Sequence, residues 1–172
     1  MSDAELVEAV GRDRAAGRTV AFANGCFDLL HVGHVRYLQA AAAEADRLIV
    51  AVNDDRSVTG LKGEGRPILP ASERAELLSA LRCVHYVVVF SDANVERLLR
   101  LVKPDVHCKG TDYTAETVPE RAVVADYGGR TAIVGDKKSH ATRELLARIA
   151  SDPLPSTPHP APRAPHRSDR DR

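Results

Sequence analysis

The sequence has no net charge at pH 7, since 24 Lys and Arg balance 24 Asp and Glu. That balance removes any bulk electrostatic attraction to nucleic acid or to a membrane surface. An anionic ligand would have to be met by basic residues placed locally. Cysteine is scarce: Cys26, Cys83 and Cys108 are odd in number and widely spaced. They form neither a disulfide framework nor a zinc spacing, and read as reduced thiols of a cytoplasmic protein. No apolar run reaches membrane-spanning length. The acidic start, from Met1 to Glu8, has no signal-peptide pattern. No internal repeat is visible. These absences point to a protein of the cytosol that binds neither nucleic acid nor membrane.

What remains is ordinary for a soluble globular chain: 172 residues, 44% hydrophobic and 28% charged. That length suits one domain with a sizeable core. Residues 151–172 differ from the rest, holding six of the ten prolines and Arg163, Arg167, Arg170 and Arg172. Almost nothing there is left to bury, so this segment is expected to be a disordered tail. Partner binding or weak anion binding is its alternative role. Residues 1–150 are expected to form the single domain. Within it, short apolar runs predict strands over 19–24, 47–52, 86–90, 106–109 and 130–134. Helical patterns cover 34–45, 71–81, 95–102, 120–127 and 142–150, with Ser72 a candidate cap for the second. Strands alternating with helices imply an α/β fold with a doubly wound, five-stranded parallel sheet. Ligands of such sheets sit beyond the carboxyl ends of the strands.

Polar and glycine-rich punctuation follows every strand. After the first comes Asn24-Gly25-Cys26-Phe27-Asp28, then His31-Val32-Gly33-His34. Gly25 permits close backbone approach or a positive φ. His31 and His34 lie three apart at a helix start and so share a face, where free N–H groups favour an anion. Gly33 removes a side chain between them. The bland alternative is two structural histidines. Asp28 is either a turn residue or a ligand for substrate hydroxyls or a ligand-bound metal. Asn53 and Asp54 follow the second strand. Lys62 and Arg66 lie in a Gly-rich loop, which favours function over solvated surface charge. Arg74, on an amphipathic helix, would by itself read as a surface residue. Lys109 precedes Gly110 and suits phosphate contact. Asp112 could bind hydroxyls, and Tyr113 could equally be packing. Ser139 and Thr142 cap a helix, a place compatible with phosphate contact. His85 and His107 read as structural, and His159 and His166 as inert.

The string from Asn24 to His34 resembles the His-x-Gly-His signature of the cytidylyltransferase-like nucleotidyltransferases. The likeness continues through Tyr37-Leu38, Asp46 to Asp55, Leu61-Lys62-Gly63, Arg66-Pro67, Glu73-Arg74 and Val102 to Val106. These stretches, with Lys109-Gly110-Thr111-Asp112-Tyr113, are similar to the branch of that family acting on D-glycero-β-D-manno-heptose 1-phosphate. The resemblance covers residues 18–149. It implies a Rossmann-like sheet, a homodimer, and adenylyl transfer from ATP with Mg²⁺ to a sugar phosphate, giving ADP-heptose and pyrophosphate. It assigns His31, His34 and Lys62 to catalysis. The nucleotide falls to Asn24, Gly25, Cys26, Phe27, Gly33, His34, Arg74, Lys109, Gly110, Thr142 and Arg143. The acceptor falls to Asp28, Asn53, Asp54, Lys62, Arg66 and Asp112.

Two departures stand out. Where the family has a Ser-Thr-Thr run, this chain has Ala141-Thr142-Arg143. Many relatives carry a fused sugar kinase that 172 residues cannot hold, so a stand-alone form is expected. The nearest rival is CTP with glycerol 3-phosphate or another small phosphate. A non-catalytic nucleotide-binding domain is the rival of another class. A tRNA synthetase, with its related signature, is too long to fit.

Overall fold

The computed structural model describes residues 1–136 and 142–151. Five strands form one all-parallel sheet: β1 (Val20–Gly25), β2 (Arg47–Asn53), β3 (Tyr86–Phe90), β4 (Val106–Lys109) and β5 (Arg130–Ile133). Their order is β3-β2-β1-β4-β5. The helices are α1 (Asp3–Ala15), α2 (Val32–Ala42), α3 (Asp55–Lys62), α4 (Ala71–Ser79), α5 (Glu96–Val102), α6 (Arg121–Asp126) and α7 (Thr142–Ser151).

Alternate residues of each strand feed opposite faces, as the pleat requires. Val20, Phe22, Ile49 and Ala51 pack against α1, α5 and α6 through Leu6, Val10, Leu98, Leu99 and Val123. Ala21, Ala23, Leu48, Val50 and Val52 pack against α2 and α4 through Leu38, Ala41 and Leu78. Both faces are dry, so the strands read as continuous apolar runs rather than as alternation. Phe22 is fully buried at the centre of one face. Truncating such a ring to alanine costs roughly 3–5 kcal/mol.

Five features depart from the sequence expectation. α1 appears among residues read only as an acidic start. A capping box explains it: the Ser2 hydroxyl accepts from the Glu5 N–H, while the Glu5 carboxylate accepts from the Ser2 N–H at 2.7 Å. α3 replaces most of an expected loop, capped by Asp54, which accepts from the Ser57 N–H at 2.8 Å. α4 begins after Pro70 with no side-chain cap, so Ser72 lies inside the helix and does not cap it. The helix expected from residue 34 starts two residues earlier, at Val32, and His31 becomes its N-cap. Ser151 closes α7, one residue into the expected tail; the rest of that tail lies outside the described residues.

Candidate active site

β1 and β4 are neighbours in the sheet, yet the chain leaves them toward opposite edges. The crevice above their carboxyl ends is where such a sheet takes ligands. Here it opens into a cleft of about 1100 Å³. Pairing of β1 with β4 runs only from Ala21↔Val106 to Ala23↔Cys108. Just beyond, the Tyr37 hydroxyl donates to the Cys108 carbonyl at 2.8 Å, and the Asn24 N–H faces the same phenol oxygen. Tyr37 thus stands where the next rung would be and holds the crevice apart. Burial keeps this phenol far above its usual pKa, so it acts as a neutral bridge. Gly135, at φ 92°, passes so close that a Cβ would lie 3.2 Å from the Tyr37 Cα.

At the crevice the first loop delivers two histidines. His31 is the N-cap of α2 and makes no side-chain cap bond; His34 lies in the first turn. Their rings stack with centroids 3.8 Å apart and planes 24° apart. The Phe27 ring meets His34 edge-on at 5.4 Å. Phe27 itself is buried and held at φ 47°, an uncommon backbone for a bulky residue, which its packing must enforce. Gly25 lines the cleft and has a further purpose that its sequence does not suggest. Its φ is not positive; a Cβ there would come within 3.2 Å of the Phe27 ring. Gly25 therefore makes room for the aromatic that braces His34. The first N–H groups of α2 and the paired imidazoles together form a setting suited to an anion.

One wall is built after β2. Lys62 and Arg66 line it, as does Asn53, whose amide donates to the Ser57 hydroxyl at 3.2 Å. Lys62 is the last residue of α3 rather than part of a loop. Asp28 is fully buried beneath this wall. It pairs with Arg66 and accepts from the backbone N–H groups of Ile68 at 2.6 Å and Leu69 at 3.4 Å. Burial by itself would raise its pKa, but these donors outweigh it and hold the carboxyl below the usual range. Both oxygens are committed, so Asp28 braces the 66–69 segment instead of reaching for substrate.

Arg74 and Asp54 lie elsewhere than their sequence positions suggest. Arg74 is completely buried and does not line the cleft. Its guanidinium donates to the Leu69 carbonyl at 2.9 Å, the Cys26 carbonyl at 2.5 Å and the Asp55 carboxylate at 2.8 Å. The fork ties the first loop to the starts of α3 and α4. Asp54 is occupied in capping α3 and likewise lies off the cleft. Cys26 lines the cleft, with its thiol pushed above its ordinary pKa by burial despite Lys62 and Arg74 nearby.

The other wall is built after β4 and β5. Gly110, Asp112 and Thr142 line the cleft there, and Gly33 lines it from the start of α2. Lys109 does too, but its ammonium is buried and already engaged. It donates to Glu120 at 3.2 Å and to the Asn24 side-chain oxygen at 3.1 Å, 5.3 Å from the centre of the Tyr113 ring. Burial lowers the Lys109 pKa and Glu120 partly restores it. His107 Nε2 approaches the same Asn24 oxygen at 3.1 Å. Burial and the Lys109 charge push His107 down to about 3, so the ring is neutral and donates its Nε2–H. Glu120 and Tyr37 also line the cleft; the sequence pattern places Glu120 only in a helix and Tyr37 in a helix within the stretches that carry the family resemblance. Arg36 and Asp136, paired at 3.1 Å, also line it. The Arg143 side chain, Ser139 and the whole 137–141 segment lie outside the described residues.

A family model described as cytidylyltransferase-like matches residues 22–158, a span holding both walls and the histidine pair. The chain belongs to the cytidylyltransferase-like family. Members of such a family are nucleotidyltransferases, and the assignment makes this chain one of them. Among curated relatives, the bifunctional protein HldE of Syntrophotalea carbinolica is 45% identical over 137 residues, which is 80% of this chain and 28% of that protein. The HldE of Pseudomonas aeruginosa is 46% identical over 145 residues, 84% of this chain and 31% of that one. The chain thus spans less than a third of these relatives. The lipopolysaccharide core biosynthesis protein of Thermoplasma volcanium superposes with a TM-score of 0.61 at 25% identity, covering 71% of this chain and 100% of that one. The cytidylyltransferase-like fold and the parallel sheet described above agree.

Proposed function

We propose that this chain joins the AMP of ATP to D-glycero-β-D-manno-heptose 1-phosphate, giving ADP-heptose and pyrophosphate. The stacked His31–His34 pair at the start of α2, facing a cleft with cationic side chains, carries the nucleotidyl transfer, and the likeness to HldE, with the Lys109 to Tyr113 stretch, supports the heptose acceptor. An oxygen of the sugar phosphate attacks the α-phosphorus, the bond to the bridging oxygen breaks, and pyrophosphate leaves. With a second phosphate pKa near 6, the nucleophile is already anionic at neutral pH, and no general base is required. Catalysis is then a matter of positioning and charge neutralisation.

His31 and His34 take the α- and β-phosphates. Lys62 and Arg66 take the acceptor phosphate from the β2 wall. Asn24, Gly110 and Thr142 receive the nucleotide on the opposite side, with Arg143 following Thr142 in the chain. Asn53 and Asp112 are placed for sugar hydroxyls. No group of three or more His, Cys, Asp or Glu suited to a metal occurs among the described residues. Mg²⁺ in this reading arrives with ATP, bound mainly by phosphate oxygens and water. We further infer a homodimer acting in the cytosol, which the family resemblance supports. No helix of the described residues is long and apolar enough to cross a membrane.

The test is a panel of ATP and CTP against heptose 1-phosphate and glycerol 3-phosphate, read by pyrophosphate release and product mass. ADP-heptose is the expected product. Turnover with CTP alone would replace the adenylyl reading with the cytidylyl one that the family description also accommodates.

A further inference from the structure

Several buried side-chain oxygens have no hydrogen-bond partner among the described residues, and their positions differ. The hydroxyls of Tyr127 and Thr131 lie away from the cleft, whereas Glu120 Oε2 belongs to a residue lining it. Glu120 is 6% exposed, and its other oxygen accepts from Lys109 at 3.2 Å. A buried carboxylate oxygen left without a donor is costly, and such atoms in native proteins call for an explanation. A protonated donor on a ligand would remove the cost. Phosphate would not, because like charges repel.

The cleft also sorts its ends. Lys62 and Arg66 line the β2 wall, the histidine pair stands over the crevice, and the Glu120 wall lies beyond it. Both substrates of the reaction proposed above are anionic at their reacting ends. With triphosphate at the histidines and acceptor phosphate at Lys62, the uncharged end of the nucleotide points toward Glu120. The Lys109–Glu120 pair is neutral as a unit, so this wall suits hydroxyls and amines and does not suit phosphates.

We propose that Glu120 reads the nucleoside of the bound nucleotide, with Oε2 accepting a hydrogen bond from a ribose hydroxyl or an exocyclic amine while Lys109 fixes the carboxylate. The inference rests on nucleotidyl transfer and not on the identity of the acceptor. Glu120→Gln gives it a sharp signature. Lys109 can be met only by the amide oxygen, so the NH₂ replaces Oε2 and a substrate donor then faces a donor.

Equilibrium binding to the wild-type chain and to Glu120→Gln should be measured with ATP, 2′-deoxy-ATP, 3′-deoxy-ATP and purine riboside triphosphate, which lacks the 6-amino group. In the wild type, one analogue should bind about tenfold more weakly than ATP, the scale of a hydrogen bond to a charged group. In Glu120→Gln the same analogue should match ATP within twofold, because the protein acceptor that its missing donor would have met is gone. A structural role alone would weaken all four ligands together and leave the ratio unchanged. Should Glu120→Gln fail to fold, Glu120→Asp, which retracts the carboxylate, must reduce the same ratio. Wild-type discrimination against no analogue, or discrimination that survives substitution, overturns the proposal. Failure to make ADP-heptose would instead overturn the acceptor assignment, since the binding ratios do not involve the sugar phosphate.

Discussion

Asp28 and Glu120 are both buried carboxylates facing a cation, Arg66 under one wall of the cleft and Lys109 on the other. Asp28 has protein donors on both oxygens, and each donor belongs to the 66–69 segment. Glu120 has one satisfied oxygen and one without a partner among the described residues. The cations differ in parallel. Arg66 reaches the cleft from its pair with Asp28, while Lys109 is shared between Glu120 and Asn24. Burial therefore does not separate a bracing carboxylate from a binding one. The number of donors the protein supplies to it does.

The largest effect is expected between the walls, where the comparison has its reference point. His34→Ala should lower turnover by a factor of about 100 or more, as for loss of a preorganised donor, while the thermal midpoint changes little. Steady-state rates beside a melting curve check this; an unchanged rate would remove the histidine pair from the mechanism. Under the Asp28 wall, Arg74→Met should act in the opposite sense. Leaving three acceptors without their donor should cost roughly 2–4 kcal/mol in urea denaturation. If Arg74→Met instead kept its stability and lost only nucleotide affinity, its inward placement would be refuted.

A smaller effect follows from acidity. The folded-state pKa of Asp28 is depressed, so its contribution is present above the unfolded value of about 3.9 and is lost as pH falls through the lower folded value. The stability gap between the wild type and Asp28→Asn should thus be constant near neutrality and narrow as pH drops below about 4. A gap that widens in acid would reverse the assigned sign. The smallest effect is expected from ending the chain after Ala150. Turnover should stay within twofold, and a large loss would bring the last residues into one of the walls.

The two walls were unequally legible from sequence. The five strands stood out because a sheet covered on both faces needs apolar runs, and the residues just after them had to meet at one edge. His31 and His34 were legible for the same reason, since helical spacing alone brings i and i+3 together. Arg74 was not, because what buries it is three acceptors contributed by Cys26, Asp55 and Leu69. No local pattern encodes that convergence. Glu120 and Lys109 lie eleven positions apart, joined through a loop whose course the pattern leaves open. α1 was legible in principle, through the Ser2–Glu5 capping box. α3 was too, through Asp54 and the left-handed Gly63 that ends it.

The Asn24 side chain shows how the crevice is prepared. Its amide oxygen takes donors from both His107 and Lys109. Rotating the amide by half a turn would set its NH₂ against an ammonium and an imidazole N–H, so the group has one usable orientation. The floor of the cleft consequently has a fixed polarity, like a keyed socket, and an arriving nucleotide meets dipoles that need no reorientation as charge moves during transfer.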